Sequence, residues 1–360
     1  MNPTEKRGDG SSHAPVASVV VVTHDSLHAL ERSLPPLVAE LRDDDELIVV
    51  DNLSRDGTPE AVRRLAPAAR VIESEINLGY GGGCNAGAAL AGGELLIFLN
   101  PDAAVRPGFR AAIERPLGRP TNWGAWQALV TSEDGTRLNS AGGVVHFTGI
   151  AWAGGAGQKL PPCTTRTEPG EVAFASGACL AIPRTHWQAM GGFPAEFFLY
   201  HEDVDLSLRL RLAGHRVGIE PGAVVDHDYE FEKGPAKWRH LERNRWATII
   251  RTYPTALILI LTPALLVTEL ALVLVALAGG WLPQKLRAWV DVARAMPGLW
   301  SSRRAVQAGR QASASEFAGA LTAELDSLFL GRVGRSKLVG HLLRAYWLGA
   351  RLLLGRSSGR

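Results

Sequence analysis

ASVVVVTHD, residues 17–25, is a short valine-rich run that ends on polar side chains. An apolar run of this length without period-2 alternation predicts a strand buried on both faces. The same form returns as ELIVVD (46–51), RVIESE (70–75) and ELLIFLN (94–100). Helical segments separate these runs. An apolar-periodic stretch spans Leu27 to Leu41, Thr58-Pro59 reads as an N-cap with proline at the first helical position, and an alanine-rich helix is expected from Gly83 to Ala91. Strands alternating with helices predict an α/β fold, a mostly parallel sheet flanked by helices and joined by right-handed crossovers.

Outward from this core the pattern loosens between Trp123 and Gly191, where Gly-rich and Pro-rich stretches predict short strands and loops. FASGACLAIP (174–183) predicts a strand. Glu202 to Ala213 predicts a helix, because Leu206, Leu210 and Ala213 share a face and Gly214 follows as a C-cap. HRVGIEP (215–221) predicts another strand.

The 360 residues leave room for a large domain and an appendage, and 46% hydrophobic content is ample for a core. Net charge is only +2, but from Pro283 onward thirteen Lys/Arg face four Asp/Glu, so the tail is basic. Cys84, Cys163 and Cys179 are odd in number and far apart, which excludes a disulfide framework and fits a reducing compartment. Residues 1–15 are polar and predict a disordered start. Ala256 to Ala278 carries one charge, Glu269, and is long enough to cross a bilayer, although Pro263 interrupts it. It reads as a spanning helix, a re-entrant segment, or a buried helix of the core or of a dimer. Lys337 to Arg356 reads as an interfacial helix or as an amphipathic helix packed on the main domain.

In an open parallel sheet, ligands bind beyond the carboxyl ends of the strands. Thr23-His24-Asp25 follows the first strand and Asp51-Asn52 the second. Asn77-Leu78-Gly79 with Gly81, Gly82 and Gly83 follows the third, and Asn100-Pro101-Asp102 the fourth. The glycines miss the dinucleotide fingerprint and the P-loop signature. They predict a turn entering a helix, with backbone N–H groups offered to an anion. Asp102 can bind Mg²⁺ or Mn²⁺ alongside phosphate oxygens, and helix capping is its alternative role. His201-Glu202-Asp203-Val204-Asp205 places three carboxylates at a helix start behind apolar Phe197-Phe198-Leu199-Tyr200. That setting suits a general base, and favourable placement on the helix dipole is the alternative. His227 is a structural histidine or a metal ligand.

Taken together, VVVVTHDS, VVDNLSRDGT, NLGYGGGCNAG, FLNPDA, SGACLAIPR, GGFPAEFFLYHEDVDLSLRLRLAGHRV and LERNRWATIIRTYP resemble glycosyltransferase family 2, inverting enzymes of the GT-A fold. The resemblance covers roughly Ala17 to Arg251 and is nearest to rhamnosyl- and galactofuranosyltransferase-type members that build polysaccharide or cell-wall glycans. It implies a GT-A domain over 16–252 and a helical membrane-associated region over 253–360. By position it implies a nucleotide-sugar site of Thr23, Asp25, Asp51, Asn77, Gly79, Asn85 and Asn100, with Asp51 accepting from a pyrimidine N3–H. It also implies Asp203 as base with Glu202 beside it, and Mg²⁺ or Mn²⁺ held by Asp102 and His227. The sequence departs from the family where Asn100 replaces the first acid of the DxD motif and His24 replaces a tyrosine.

The resemblance further implies a dTDP- or UDP-linked donor, with rhamnose as the candidate sugar, and a glycan or lipid-linked acceptor. A membrane surface and a homodimer are expected partners, and nucleic acid is not. Nucleotide-sugars are cytosolic, so a spanning helix would put the basic tail outside, against the positive-inside tendency. A re-entrant segment on the cytoplasmic face is therefore expected. A sugar-phosphate nucleotidyltransferase would need a Gly- and Lys/Arg-containing loop directly after the first strand, which Thr23-His24-Asp25 does not supply. A catalytically inactive nucleotide-sugar-binding protein of the same fold is the other alternative.

Overall fold

The computed structural model describes residues 16–132, 135–160, 169–227, 234, 236–325 and 337–357. The expected disordered start at 1–15 and Cys163 lie outside the described residues, while Cys84 and Cys179 are buried free thiols. The first half alternates as its apolar runs predict. The elements are β1 (Ala17–Thr23), α1 (Leu27–Glu40), β2 (Glu46–Asp51), α2 (Thr58–Leu65), β3 (Arg70–Glu73), α3 (Gly79–Ala88), β4 (Leu95–Leu99), β5 (Ala103–Val105) and α4 (Phe109–Ile113). There follow β6 (Trp123–Ser132), β7 (Arg137–Ser140), β8 (Gly143–Val145), β9 (Ala151–Ala153), β10 (Gly170–Glu171), β11 (Cys179–Pro183), α5 (Arg184–Met190), α6 (Glu202–Leu212) and β12 (Arg216–His227). The rest is helical: α7 (Ala236–Thr252), α8 (Thr255–Ala278), α9 (Leu282–Ala308), α10 (Ala314–Ala318) and α11 (Lys337–Ser357).

A ten-stranded sheet runs in the order β10-β12-β6-β11-β4-β1-β2-β3, with β5 on β12 and β7 on β6. β1 pairs in parallel with both β2 and β4, and β2 with β3. β11 lies antiparallel between β4 and β6, so β6 and its parallel neighbour β12 run with β1. β1–β4, β6 and β12 therefore point the same way. Along β1, Val19 and Val21 pack with α1, α2 and α4, whereas Val20 and Val22 pack with α3, α5 and α6. Both faces are covered, which is why the strand sequence shows no alternation.

Four expectations need correction. α3 begins at Gly79, so the glycine run is helix rather than a turn before it. Glycine is a poor helix former, but here close approach decides. A Cβ on Gly83 would come within 2.6 Å of Val22 Cγ1, and one on Gly87 would collide with Val20. The expected strand over 174–183 starts only at Cys179. The preceding N–H groups donate to side chains instead: Ala175 to Ser207 Oγ, Ser176 to Gln127 Oε1 and Gly177 to Asp203 Oδ2. The strand expected to end at Pro221 continues through a bulge to His227, which joins it to β5. Finally, Gly57 rather than Thr58 caps α2, with its backbone left-handed at φ 87°.

The C-terminal helices share a core with the sheet half. Phe147 and Phe174 pack with Tyr253, Leu257, Leu261, Leu265, Trp347 and Leu354. α8 is long and apolar enough to cross a membrane. One stripe, Leu257, Leu261 and Leu265, is buried, and Leu259, Leu266, Leu270, Leu274 and Leu277 are exposed. Its single charge does not face outward. Glu269 meets Arg245 of α7 at 2.5 Å and Lys285 of α9 at 2.8 Å, and Lys285 also holds Glu242 at 2.6 Å. α11 has both expected characters. Trp347, Ala350 and Leu354 are buried, while Leu338, Leu342, Leu348 and Leu352 are exposed.

Candidate active site

A first polar group is built where β1 and β2 stop together. Thr23 and Asp51 are register partners, and Thr23 Oγ1 donates to Asp51 Oδ1 at 2.9 Å. Ser54 reaches the same carboxylate through its hydroxyl at 2.5 Å and its N–H at 2.9 Å. Asp51 is thus buried and held on three sides. Asp25 sits at the exposed rim, accepting from Arg55 N–H at 2.7 Å, and His24 Nδ1 lies 2.7 Å from Asn52 O. Asn52 carries its Nδ2 to Gly79 O at 2.9 Å, tying β2 to the start of α3. Asn77 Oδ1 accepts from Gly79 N–H at 2.8 Å, and Phe198 O accepts from Tyr80 N–H at 2.7 Å. The first N–H groups of the glycine run are therefore used within the protein and not offered to an anion. Asn85 stands apart, with both amide atoms bonded to the backbone of Phe193.

A second group forms at the ends of β4 and β12. His227 Nε2 lies 3.0 Å from Asp102 Oδ1 and 3.3 Å from Asn100 Nδ2, and Asn139 Nδ2 donates to His227 O at 2.7 Å. The donor set is one carboxylate, one imidazole and one carboxamide, with Asp102 part-exposed. It fits a divalent ion of the Mg²⁺ or Mn²⁺ kind that takes its remaining oxygens from phosphate and water. Among the described residues no group of three or more His, Cys, Asp or Glu gathers.

The third group is the acidic start of α6. Asp205 is the structural member of the three carboxylates, buried between Arg209 at 2.6 Å and Arg251 at 3.0 Å. Asp203 is different. Its Oδ2 accepts from Gly177 N–H at 2.9 Å and its Oδ1 from Val204 N–H at 2.8 Å. Glu202 is buried, and its Oε2 meets no partner among the described residues. Burial, and then the neighbouring Asp203 charge, push the Glu202 carboxyl up to about 8. Burial also raises Asp203, opposed by its two backbone donors. Near neutral pH Glu202 keeps its proton, while Asp203 is the member of the pair whose charged form is favoured by two backbone N–H donors. Such a division of two adjacent acids suits proton transfer.

Residues far from one another in sequence join these groups. Asn100 N–H donates to Ala178 O at 3.1 Å, and the next peptide along gives Gly177 N–H to Asp203 and accepts Tyr80 Oη at 2.5 Å. The turn at 176–178 thus touches the β4 end, the α3 start and the α6 acid. Asn244 of α7, fully buried, turns its Nδ2 toward the carbonyls of Phe197, Leu199 and Tyr200 at 3.0, 2.9 and 2.7 Å. Arg243 also donates to Phe197 O, at 2.5 Å. With Tyr80 on Phe198 O, four consecutive carbonyls are clamped. Phe198, Tyr200 and His201 all have left-handed φ, 63°, 70° and 69°, a conformation that surrounding bonds must enforce. Asn244, Asn139, Tyr80 and Gly177 were not singled out by sequence. The motifs LERNRWATIIRTYP, NLGYGGGCNAG and SGACLAIPR, which contain Asn244, Tyr80 and Gly177, carried the signal.

The chain is similar to known proteins in sequence and in fold. The family model of glycosyl transferase family 2 matches residues 18–177, and that of glycosyl transferase family group 2 matches residues 160–303. The chain is 32% identical over 261 residues to the N-acetylglucosaminyl-diphospho-decaprenol L-rhamnosyltransferase of Mycobacterium tuberculosis, covering 65% of this chain and 83% of that protein. GalNAc-T7, solved with UDP, GalNAc and Mn²⁺, superposes with a TM-score of 0.55 at 18% identity, over 68% of this chain and 49% of that one. The mannosyltransferase PcManGT from Pyrobaculum calidifontis, solved with GDP-Man and Mn²⁺, superposes with a TM-score of 0.51 at 22% identity, over 83% and 86%. These two likenesses identify the fold as GT-A.

Proposed function

This chain belongs to glycosyl transferase family 2, and on that premise we propose that it is an inverting transferase acting on a lipid-linked acceptor. The donor is a dTDP- or UDP-sugar, rhamnose first among candidates. The acceptor is a hydroxyl of N-acetylglucosamine carried on a diphospho-polyprenol, the substrate named for the 32% identical relative. One observation carries the reading. The Asp203 carboxylate is fixed at the same turn, 176–178, that receives the β4 end bearing Asn100 and Asp102. A base and a diphosphate-facing acid so joined can serve two ends of one reaction.

In the mechanism, Asp51 accepts from a pyrimidine N3–H while Thr23 and Ser54 hold it still. Asp102 and His227, with Asn100 beside them, would hold Mg²⁺ or Mn²⁺, which would supply positive charge against the departing diphosphate. Asp203 takes the proton of the acceptor hydroxyl. The oxygen bonds to the anomeric carbon from the face opposite the leaving group, and the carbon–oxygen electron pair departs with the diphosphate. Glu202, protonated, keeps a second negative charge away from Asp203. Asn85 positions the Phe193 segment.

The exposed leucines of α8 and α11 fit a membrane surface, here the cytoplasmic one that nucleotide-sugars reach. Glu269, held by Arg245 and Lys285, keeps α8 beside the protein. That favours a helix lying in the interface over a lone span. The full chain in lipid nanodiscs is given dTDP-rhamnose and polyprenyl-diphosphate-linked N-acetylglucosamine. The expected product is a lipid-linked disaccharide with inverted anomeric configuration. Retained configuration, or no product with either dTDP- or UDP-sugars, overturns the reading.

A further inference from the structure

Two adjoining hollows run between α7 and α9. The first, about 370 Å³, is lined by Arg239 and Arg243 of α7 and Arg294 of α9, over a floor that includes Phe197 and Leu299. The second, about 300 Å³, shares Arg239 and Arg294 and adds Leu286, Arg287 and Val290. The lining is short of negative charge. Asp291 takes up Arg239 through two bonds, at 2.6 and 2.8 Å, and Glu196 is taken up by Arg251 at 2.7 Å. Arg243, Arg287 and Arg294 then face the groove without a carboxylate of their own among the described residues. Burial pushes the Arg243 guanidinium below its ordinary value, and nearby Arg239 adds to this against Asp291. A site that gathers like charges this closely is relieved by an anion.

The groove is also amphiphilic. Leu286 and Val290 are 46% and 47% exposed, on the helix that carries Arg287 and Arg294, and Trp300 further along is 54% exposed. A free nucleotide has no use for such a wall. A phosphate joined to a long hydrocarbon chain matches both parts.

We propose that this groove anchors the acceptor, with its diphosphate between Arg243 and Arg294 and its isoprenoid chain along Leu286 and Val290. This rests on the lipid-linked acceptor proposed above. The location is apt, because the groove backs onto Phe197, whose carbonyl Arg243 holds. That residue begins the clamped loop leading to Asp203.

The test uses the full chain and the double substitution Arg287→Glu with Arg294→Glu. Both side chains are exposed, so an unchanged melting temperature is expected and shows that the variant folds. Binding of geranylgeranyl diphosphate in micelles should weaken at least about tenfold, a difference of about 1.4 kcal/mol. Binding to phosphatidylglycerol vesicles, which offer phosphate without an isoprenoid diphosphate, should change far less. Equal affinity of both proteins for geranylgeranyl diphosphate overturns the proposal. So does an equal loss on phosphatidylglycerol, which would make the groove a phospholipid headgroup site. Intact diphosphate binding by the wild type without any sugar transfer counts against the functional reading alone.

Discussion

At the ends of β1 and β2, Thr23 and Asp51 meet because the sheet register places them opposite each other. Strands buried on both faces fix their positions, and left-handed backbone appears only beyond the strand ends, at Asp25 (φ 48°) and Leu53 (φ 66°). Between Phe197 and Asp203 no strand pairing sets the geometry. Three non-glycine residues are left-handed, and the loop keeps its shape through bonds from Tyr80 on one side and from Arg243 and Asn244 on the other. The donor end inherits its geometry from secondary structure. The base end receives it from tertiary contacts, one helical turn of which also carries Glu242 and Arg245. A change in α7 should therefore disturb proton transfer while sparing nucleotide binding.

The sharpest separation comes from Asp203→Asn. Transfer should fall about 10²–10⁴-fold, the usual worth of a general base. Calorimetric affinity for the donor nucleotide should stay within a factor of about two. An equal loss in both would mean that the two ends are not independent. Asn244→Ala should have a smaller effect, because it acts through the loop. It strands carbonyls at Leu199 and Tyr200, so stability should drop by about 1–3 kcal/mol and kcat by about tenfold or more. The donor KM should hold, and a substitution that raises donor KM but leaves kcat intact would break the comparison. The last test is a titration, read on stability and not on transfer. Glu202 rises from 4.5 to about 8 on folding, so between those values the folded chain binds more protons than the unfolded one. Stability should then decline as pH climbs from about 4.5 to about 8 and level off above. Denaturation midpoints across that window should flatten in Glu202→Gln, and an unchanged slope would show that another group is responsible.

The meeting of Thr23 and Asp51 was readable in sequence because hydrophobic strands that stop on polar residues mark where the sheet ends. The start of α3 was not. Glycine disfavours helix locally, and only the approach of Val20 and Val22 makes Gly83 and Gly87 necessary. Asn244 was legible as part of a motif but not as a clamp, since its partners are carbonyls 44 to 47 residues away and leave no periodic trace. Glu269 looked like a lone charge in an apolar helix because the cations that meet it come from α7 and α9. The over-long strand at 174–183 failed for a related reason, since side chains of Gln127, Asp203 and Ser207 replace ladder bonds that an apolar pattern would predict.

The quartet of Glu242, Arg245, Glu269 and Lys285 is complete only when α7, α8 and α9 are all present. Trimming the chain after Pro254 to obtain a soluble fragment would strip two of the four and leave Glu242 and Arg245 facing solvent beside the clamp at Asn244. Grafting a foreign anchor onto residues 16–254 would meet the same mismatch unless it brought its own acid and base at matching depths. The greasy helix and the sugar-handling half must therefore evolve, and be engineered, as one piece.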